Sequence, residues 1–188
     1  MIDHAFQHVV AELNAYLNLR SSALSTERVV MGNLLDQSGS VNANVIDRVV
    51  LSLVNVEEER IFRSVDTMQR QADGRYQMVR PDVRVNLYAL FIANLDDYSE
   101  ALKALSNIIS FFQHRPYFEY ASIPALATQE GRLIAELHSP TFEQINHLWG
   151  ALGVKYMPSV MYKMRVMGIR DEQVEAVLPP VEEIRVQD

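Results

Sequence analysis

One continuous stretch, "DVRVNLYALFIANLDDYSEALKALSNIISFFQHRP" (82–116), constrains the fold more than any other. Its first part alternates. Val83, Val85, Leu87, Ala89 and Phe91 fall on one face, while Arg84, Asn86 and Tyr88 share the other and give way to Leu90 and Ile92. That pattern predicts a strand over 82–95, the strongest in the chain. Pro81 stands at its entry, where a missing N–H does least harm. The period then switches to that of a helix over 96–116. Ala101, Leu102, Leu105, Ile108, Ile109 and Phe112 make its apolar stripe, Asp97 and Glu100 offer a capping box, and Pro116 bars continuation.

The flanking segments extend this pattern. Ile2, Phe6, Val9, Leu13, Tyr16 and Leu17 recur at three- and four-residue spacing and predict a helix over 2–20. "RVVMGNLL" (28–35) reads as a short strand, "DQSGS" (36–40) as a turn, and "VIDRVVLSLVNVEEER" (45–60) as a long strand with apolar groups on both faces. The polar stretch 61–80, with Asp73-Gly74 as a turn signal, reads as an extended hairpin or a long loop. "RLIAELHS" (132–139) is another strand. Thr141 and Gln144 form a capping box for a helix over 141–152, with Phe142, Ile145, Leu148, Trp149 and Leu152 on one face and Gly153 as its left-handed stop. "SVMYKMRVMGI" (159–169) returns as a strand, and Pro179-Pro180 mark 171–188 as an extended arm. This order predicts an α+β fold, a mainly antiparallel sheet flanked by helices, in a single domain over 1–170. Trp149, Phe142 and Leu148 are its expected structural core.

At 188 residues, 48% hydrophobic and 22% charged, the chain can bury a core without staples. It has no cysteine, which removes disulfides, thiolate metal sites and a cysteine nucleophile. A formal charge of −7 with scattered basic residues argues against a nucleic-acid face. No apolar run approaches membrane-spanning length, and the opening "MIDHAFQHVV" has no basic-then-apolar signal pattern. No membrane partner and no secretory signal are therefore expected.

Catalytic signatures are sparse. His4 and His8 lie four apart and, with Asp3 or Glu12, could face a metal on one helix side; the H-E-x-x-H pattern is absent, and a half-exposed helix face is the plainer reading. There is no G-x-S-x-G elbow, G-x-G-x-x-G loop or phosphate loop, so no cofactor and no small-molecule substrate are expected. Glu57, Glu58 and Glu59, followed by Arg60, suit a solvated strand end or an interface salt bridge. His147 beside Trp149 suggests a pocket, but an apolar helix face more often makes such a Trp a packing residue.

Several blocks together resemble a known family. "HLWGALGVKYMPSVMYKMRV" (147–166), "LSLVNVEEER" (51–60), "VNLYALFIANLDDYSEALKALSNIISFFQ" (85–113) and "MIDHAFQHVVAELNAYL" (1–17) resemble, in the same order, the tail-terminator or cap proteins of phage-tail-like contractile injection systems of the antifeeding-prophage and virulence-cassette type. The single Pro81 departs from the paired prolines frequent there. The resemblance implies a tail-terminator-like fold and a structural role without catalysis: a ring, usually six-fold, that closes the inner tube and contractile sheath. It implies itself, tube and sheath as partners, assembly in the cytoplasm, and then a place in a released or cell-associated particle. A baseplate or tube-initiation adaptor is the alternative within assembly, and a small metal-dependent hydrolase is the alternative outside it. A heterologous ring needs two different patches on each copy. The candidates are Glu57, Glu58, Glu59 and Arg60 on one side and Lys163 and Arg165 on the other, with Lys155 and Tyr156 in the turn "GVKYMP".

Overall fold

The structure, a computed structural model, describes residues 1–20, 28–59, 68–70, 76–78, 83–127, 131–169 and 176–178. The elements run α1 (Ile2–Arg20), β1 (Val29–Met31), β2 (Arg48–Glu58), β3 (Met68–Arg70), β4 (Tyr76–Met78), β5 (Val83–Asn94), α2 (Tyr98–His114), β6 (Tyr117–Glu119), β7 (Arg132–His138), α3 (Phe142–Leu152), β8 (Ser159–Ile169) and β9 (Ala176–Leu178). Short 3-10 turns occupy Ala43–Val45, Tyr120–Ser122 and Pro124–Leu126.

Six strands form one sheet in the order β1-β2-β5-β8-β7-β6. β1 runs parallel to β2, with Val30 opposite Val50. The rest is antiparallel. The Glu59 N–H donates to the Arg84 carbonyl at one end, and the Asn94 side chain donates to the Val45 carbonyl at the other, so β2 and β5 run in opposite directions. The Ala93 N–H donates to the Pro158 carbonyl, which sets the end of β5 beside the start of β8. β8 pairs with β7 and β7 with β6, both antiparallel. The fold is thus α+β on a mixed, mostly antiparallel sheet.

The alternation read from the sequence sorts the core into two layers. On one face Val49, Leu51, Leu87, Ala89 and Phe91 are buried, together with Phe6, Val9 and Leu13 of α1 and Ile108, Phe111 and Phe112 of α2. Phe91, Phe112 and Tyr162 meet edge-on or tilted at centroid distances of 4.3–6.0 Å. Glu12 of α1 and Arg115 just after α2 form an ion pair, and the Arg115 guanidinium lies over the Phe118 ring. On the other face Val50, Leu90 and Ile92 join Leu34, Val45, Trp149 and Met161, with Ile145, Leu148 and Leu152 of α3 packed against them.

Several local expectations needed correction. The strand expected over 28–35 is only β1, while the turn expected at 36–40 is present, held by Asp36 accepting hydrogen bonds from the Ser38 and Ser40 N–H groups. The box at α2 is half-made, because Asp97 caps the Glu100 N–H but the Glu100 carboxylate turns to Lys103 at 2.8 Å. Leu102 and Ile109 of its stripe remain exposed. The segment 117–126 adds β6 and two 3-10 turns to the elements expected from the sequence. Its Phe118–Tyr120 alternation and the three-residue spacing of Tyr120, Ile123 and Leu126, all buried, carried the signal for an edge strand followed by 3-10 turns.

The chain divides into two compact units, 1–56 with 86–166 and 57–85 with 167–188. In the second unit β3 and β4 pair antiparallel, Gln69 opposite Gln77, so part of the 61–80 stretch is a hairpin. β9, from the segment read as an arm, adds to β4 with Val177 opposite Gln77. Pro81, Asp73 and Gly74 lie outside the described residues.

Candidate assembly surfaces

α3 is built to a fixed length. The Thr141 hydroxyl accepts the Gln144 N–H at 3.2 Å and the Gln144 side chain accepts the Thr141 N–H at 2.9 Å, completing the box. At the other end Gly153 adopts φ 70°, and its N–H reaches the Trp149 carbonyl at 3.2 Å. Trp149 is only 6% exposed and sits in the cluster between α3 and the sheet. Leu148 is half-buried against the same cluster. Phe142, in contrast, is 92% exposed, so its place in the expected core is corrected. It falls two turns, about 10 Å, before Trp149. Phe142, Glu143 and Gln144 are all exposed, so the apolar stripe starts before the helix reaches the sheet.

The turn after Gly153 splits its side chains. Val154 and Met157 pack toward the core, whereas Lys155 is exposed and Tyr156 is 66% exposed. The Tyr156 ring still meets the Trp149 indole edge-on at 5.4 Å. The face of this turn away from the core is thus one cation and one aromatic ring, the aromatic being of the kind enriched where proteins meet.

Beyond α3 the same sheet face carries polar groups. Alternation along β8 puts Met161, Lys163 and Arg165 on the α3 side, and the register sets Lys163 opposite Glu136. Arg165 and Glu136 form an ion pair at 3.2 Å, both about half-exposed. The Lys163 ammonium lies 5.6 Å from the centre of the Tyr88 ring, which stacks edge-on against His138 at 5.0 Å. Such an exposed ion pair contributes about 0–1 kcal/mol and such a cation–ring contact about 0.5–1 kcal/mol. The ion pair can exchange partners cheaply.

Glu57 and Glu58, at the end of β2, are exposed, and Glu59 is half-buried. Strand geometry sends Glu57 and Glu59 to one side and Glu58 to the other. Arg60 lies outside the described residues.

His4 and His8 do not converge on a common centre. His4 is paired with Asp3 at 3.6 Å in solvent. His8 turns inward, edge-on to Phe118 at 5.7 Å, 3.9 Å from Glu12 and 3.4 Å from the Ser122 hydroxyl. Burial holds its pKa below the ordinary histidine value; Glu12 opposes that shift and Arg115 adds to it. Among the described residues no group of three or more His, Asp or Glu side chains is arranged to hold a metal ion, and no helix is long and apolar enough to cross a membrane.

A search among curated proteins found no match. Two solved structures share the fold over 100% of this chain. One is the sheath/tube terminator, in its extended state, of an extracellular contractile injection system, PVC (TM-score 0.65, 15% identity). The other is the tube-terminating cap of the anti-feeding prophage (TM-score 0.64, 15% identity). The chain spans 63% and 61% of those longer chains, respectively. The sequence pattern of the Pvc16 N-terminal domain runs through residues 6–183, nearly the whole length. The chain belongs to the Pvc16 N-terminal domain family.

Proposed function

We propose that this chain is a structural cap that ends the inner tube and contractile sheath of a phage-tail-like injection particle. The observation that carries the reading is the coincidence of the family match over 6–183 with a whole-chain likeness to a sheath/tube terminator and a tube-terminating cap. In this reading copies of the chain form a closed ring, six-fold to match the tube. The chain acts without cofactor or catalysis, assembles in the cytoplasm and leaves as part of the particle.

The surface chemistry supports a ring. Head-to-tail contacts require two unlike patches on each copy. The acidic end of β2 at Glu57–Glu59 and the basic pair Lys163 and Arg165 on β8 are of opposite sign and reach solvent. The half-exposed ion pair of Arg165 with Glu136 is cheap to exchange, so Arg165 can turn to a neighbour at little cost. Lys155 and Tyr156 supply a second, aromatic contact for the tube or sheath.

The deciding experiment is electron microscopy of particles produced with and without this chain. Under the cap reading, its absence gives tubes of uncontrolled length, or sheaths that fray at the end far from the baseplate. Particles of normal length with stable ends in its absence would refute the cap. Particles that fail to initiate at all point instead to a baseplate or tube-initiation adaptor.

A further inference from the structure

The outer edge of β1 is closed by a side chain. In its parallel pairing with β2, the Val49 N–H donates to the Arg28 carbonyl and the Gly32 N–H donates to the Leu51 carbonyl. The Arg28 carbonyl, both polar groups of Val30 and the Gly32 N–H therefore face β2, and the polar groups of Val29 and Met31 face away from it. An outward row of this kind is a template for another strand. Here the Asn14 carboxamide of α1 occupies it. Its Oδ1 accepts the Val29 N–H and the Arg28 N–H, each at 3.0 Å, and its Nδ2 donates to the Val29 carbonyl at 2.9 Å. One amide thus makes the donor and acceptor contacts that a residue of an added strand would make.

We propose that Asn14 is an edge-sealing residue that keeps a second copy of this chain from adding a strand to β1. The space for such a strand exists. An open groove of about 480 Å³ runs between α1 and this edge, bordered by Gln7, Val10, Asn14, Val29 and Met31. β1 is also short, flanked by apolar side chains on both faces, and Met31 at its end is partly exposed. Among the described residues, the edge is otherwise blunted only by its three-residue length and by the charges of Arg28 and of Arg48, which also lines the groove. This inference does not depend on the cap reading, since it concerns the isolated chain's self-association rather than the particle.

The test compares Asn14→Ala, and Asn14→Ala combined with Met31→Pro, with the wild type. The measurements are light scattering across a concentration series and amide exchange at Val29. Proline at 31 removes an outward N–H and costs no bond to β2, so it blocks the edge by other means. Asn14→Ala is expected to shift with concentration from the wild-type size toward twice that mass, as the freed edge pairs with a second copy. The double variant is expected to return to the wild-type size. Should Asn14→Ala not fold, Asn14→Asp, which keeps the acceptor but loses the donor, is read by the same two outcomes. A folded Asn14 variant that holds the wild-type size at every concentration, with only faster Val29 exchange, would leave Asn14 a plain tie between α1 and β1 and overturn the proposal. Equal association of the single and double variants would also overturn it.

Discussion

The Tyr156 ring stands edge-on to the Trp149 indole at 5.4 Å, across the left-handed turn at Gly153. One partner is buried and the other is mostly in solvent, so the pair separates the two uses of an aromatic residue. Trp149→Ala is expected to cost about 3–5 kcal/mol, because it empties a packed site. Tyr156→Ala is expected to cost less than about 1.5 kcal/mol, the scale of an aromatic pair. Urea unfolding of the two variants measures the contrast. Equal losses would contradict the placement of Trp149 between α3 and the sheet.

The two glycines of this region have opposite roles. Gly153 has φ 70°, and an added Cβ would meet Leu35 only at an ordinary 3.7 Å, so the cost of Gly153→Ala is set by backbone strain, about 1–2 kcal/mol. Gly150 lies inside α3 with nothing within 4 Å of such a Cβ. Gly150→Ala is therefore expected to stabilise by about 0.5–1 kcal/mol. Melting temperatures should move in opposite directions.

His8 makes the fold acid-sensitive. Burial, the largest cause, lowers its folded pKa, so the unfolded chain binds the proton more readily. Its contribution to stability is fully present above the ordinary histidine value of about 6.5 and is lost as pH falls through the interval down to the depressed folded value. His8→Gln should flatten the drop in melting temperature between pH 7.5 and pH 5. An unchanged drop would assign it to other groups.

The ring proposal makes a charge prediction. Reversing Glu57, Glu58 and Glu59 to Lys should leave the purified chain folded and cut its incorporation into particles at least tenfold. Adding Lys163→Glu and Arg165→Glu should restore part of that loss if the two patches meet between copies. Counting capped ends by electron microscopy decides it, and normal capping by the triple reversal would remove the acidic strand end from the interface.

Phe142 offers a control of a different kind. With 92% of its surface in solvent, Phe142→Ser should change unfolding free energy by less than about 0.5 kcal/mol. A loss of particle binding without a loss of stability would mark it as a contact residue.

Much of this fold was legible because local periods are strong. The strand of 82–95 and the helix ending at Pro116 came within two residues of β5 and α2, and Thr141, Gln144 and Gly153 set the limits of α3. The failures have a common physical origin: they depend on what lies across space. Phe142 has the right angular position for the core but the wrong height along the helix. Glu100 satisfies the capping pattern, yet Lys103, one turn on, competes for its carboxylate. Asn14 lies between Leu13 and Ala15 on α1, and nothing nearby in sequence announces that Val29 is its partner. The candidate surface residues were legible as exposed charge, whereas the pairing of Arg165 with Glu136 required the strand register.

The sheet carries α1 and α2 on one face and α3 on the other, so the middles of its inner strands are covered and only their ends, such as Glu57 and Glu58 on β2 and Arg165 on β8, reach a visitor. Selection on such a chain acts on two separate sets of positions. The interior answers only to volume and apolar character, which many residue combinations satisfy. The perimeter answers to whatever it touches. A fold arranged this way can exchange most of its letters and keep its shape, which is what 15% identity at a TM-score of 0.65 over the whole chain records.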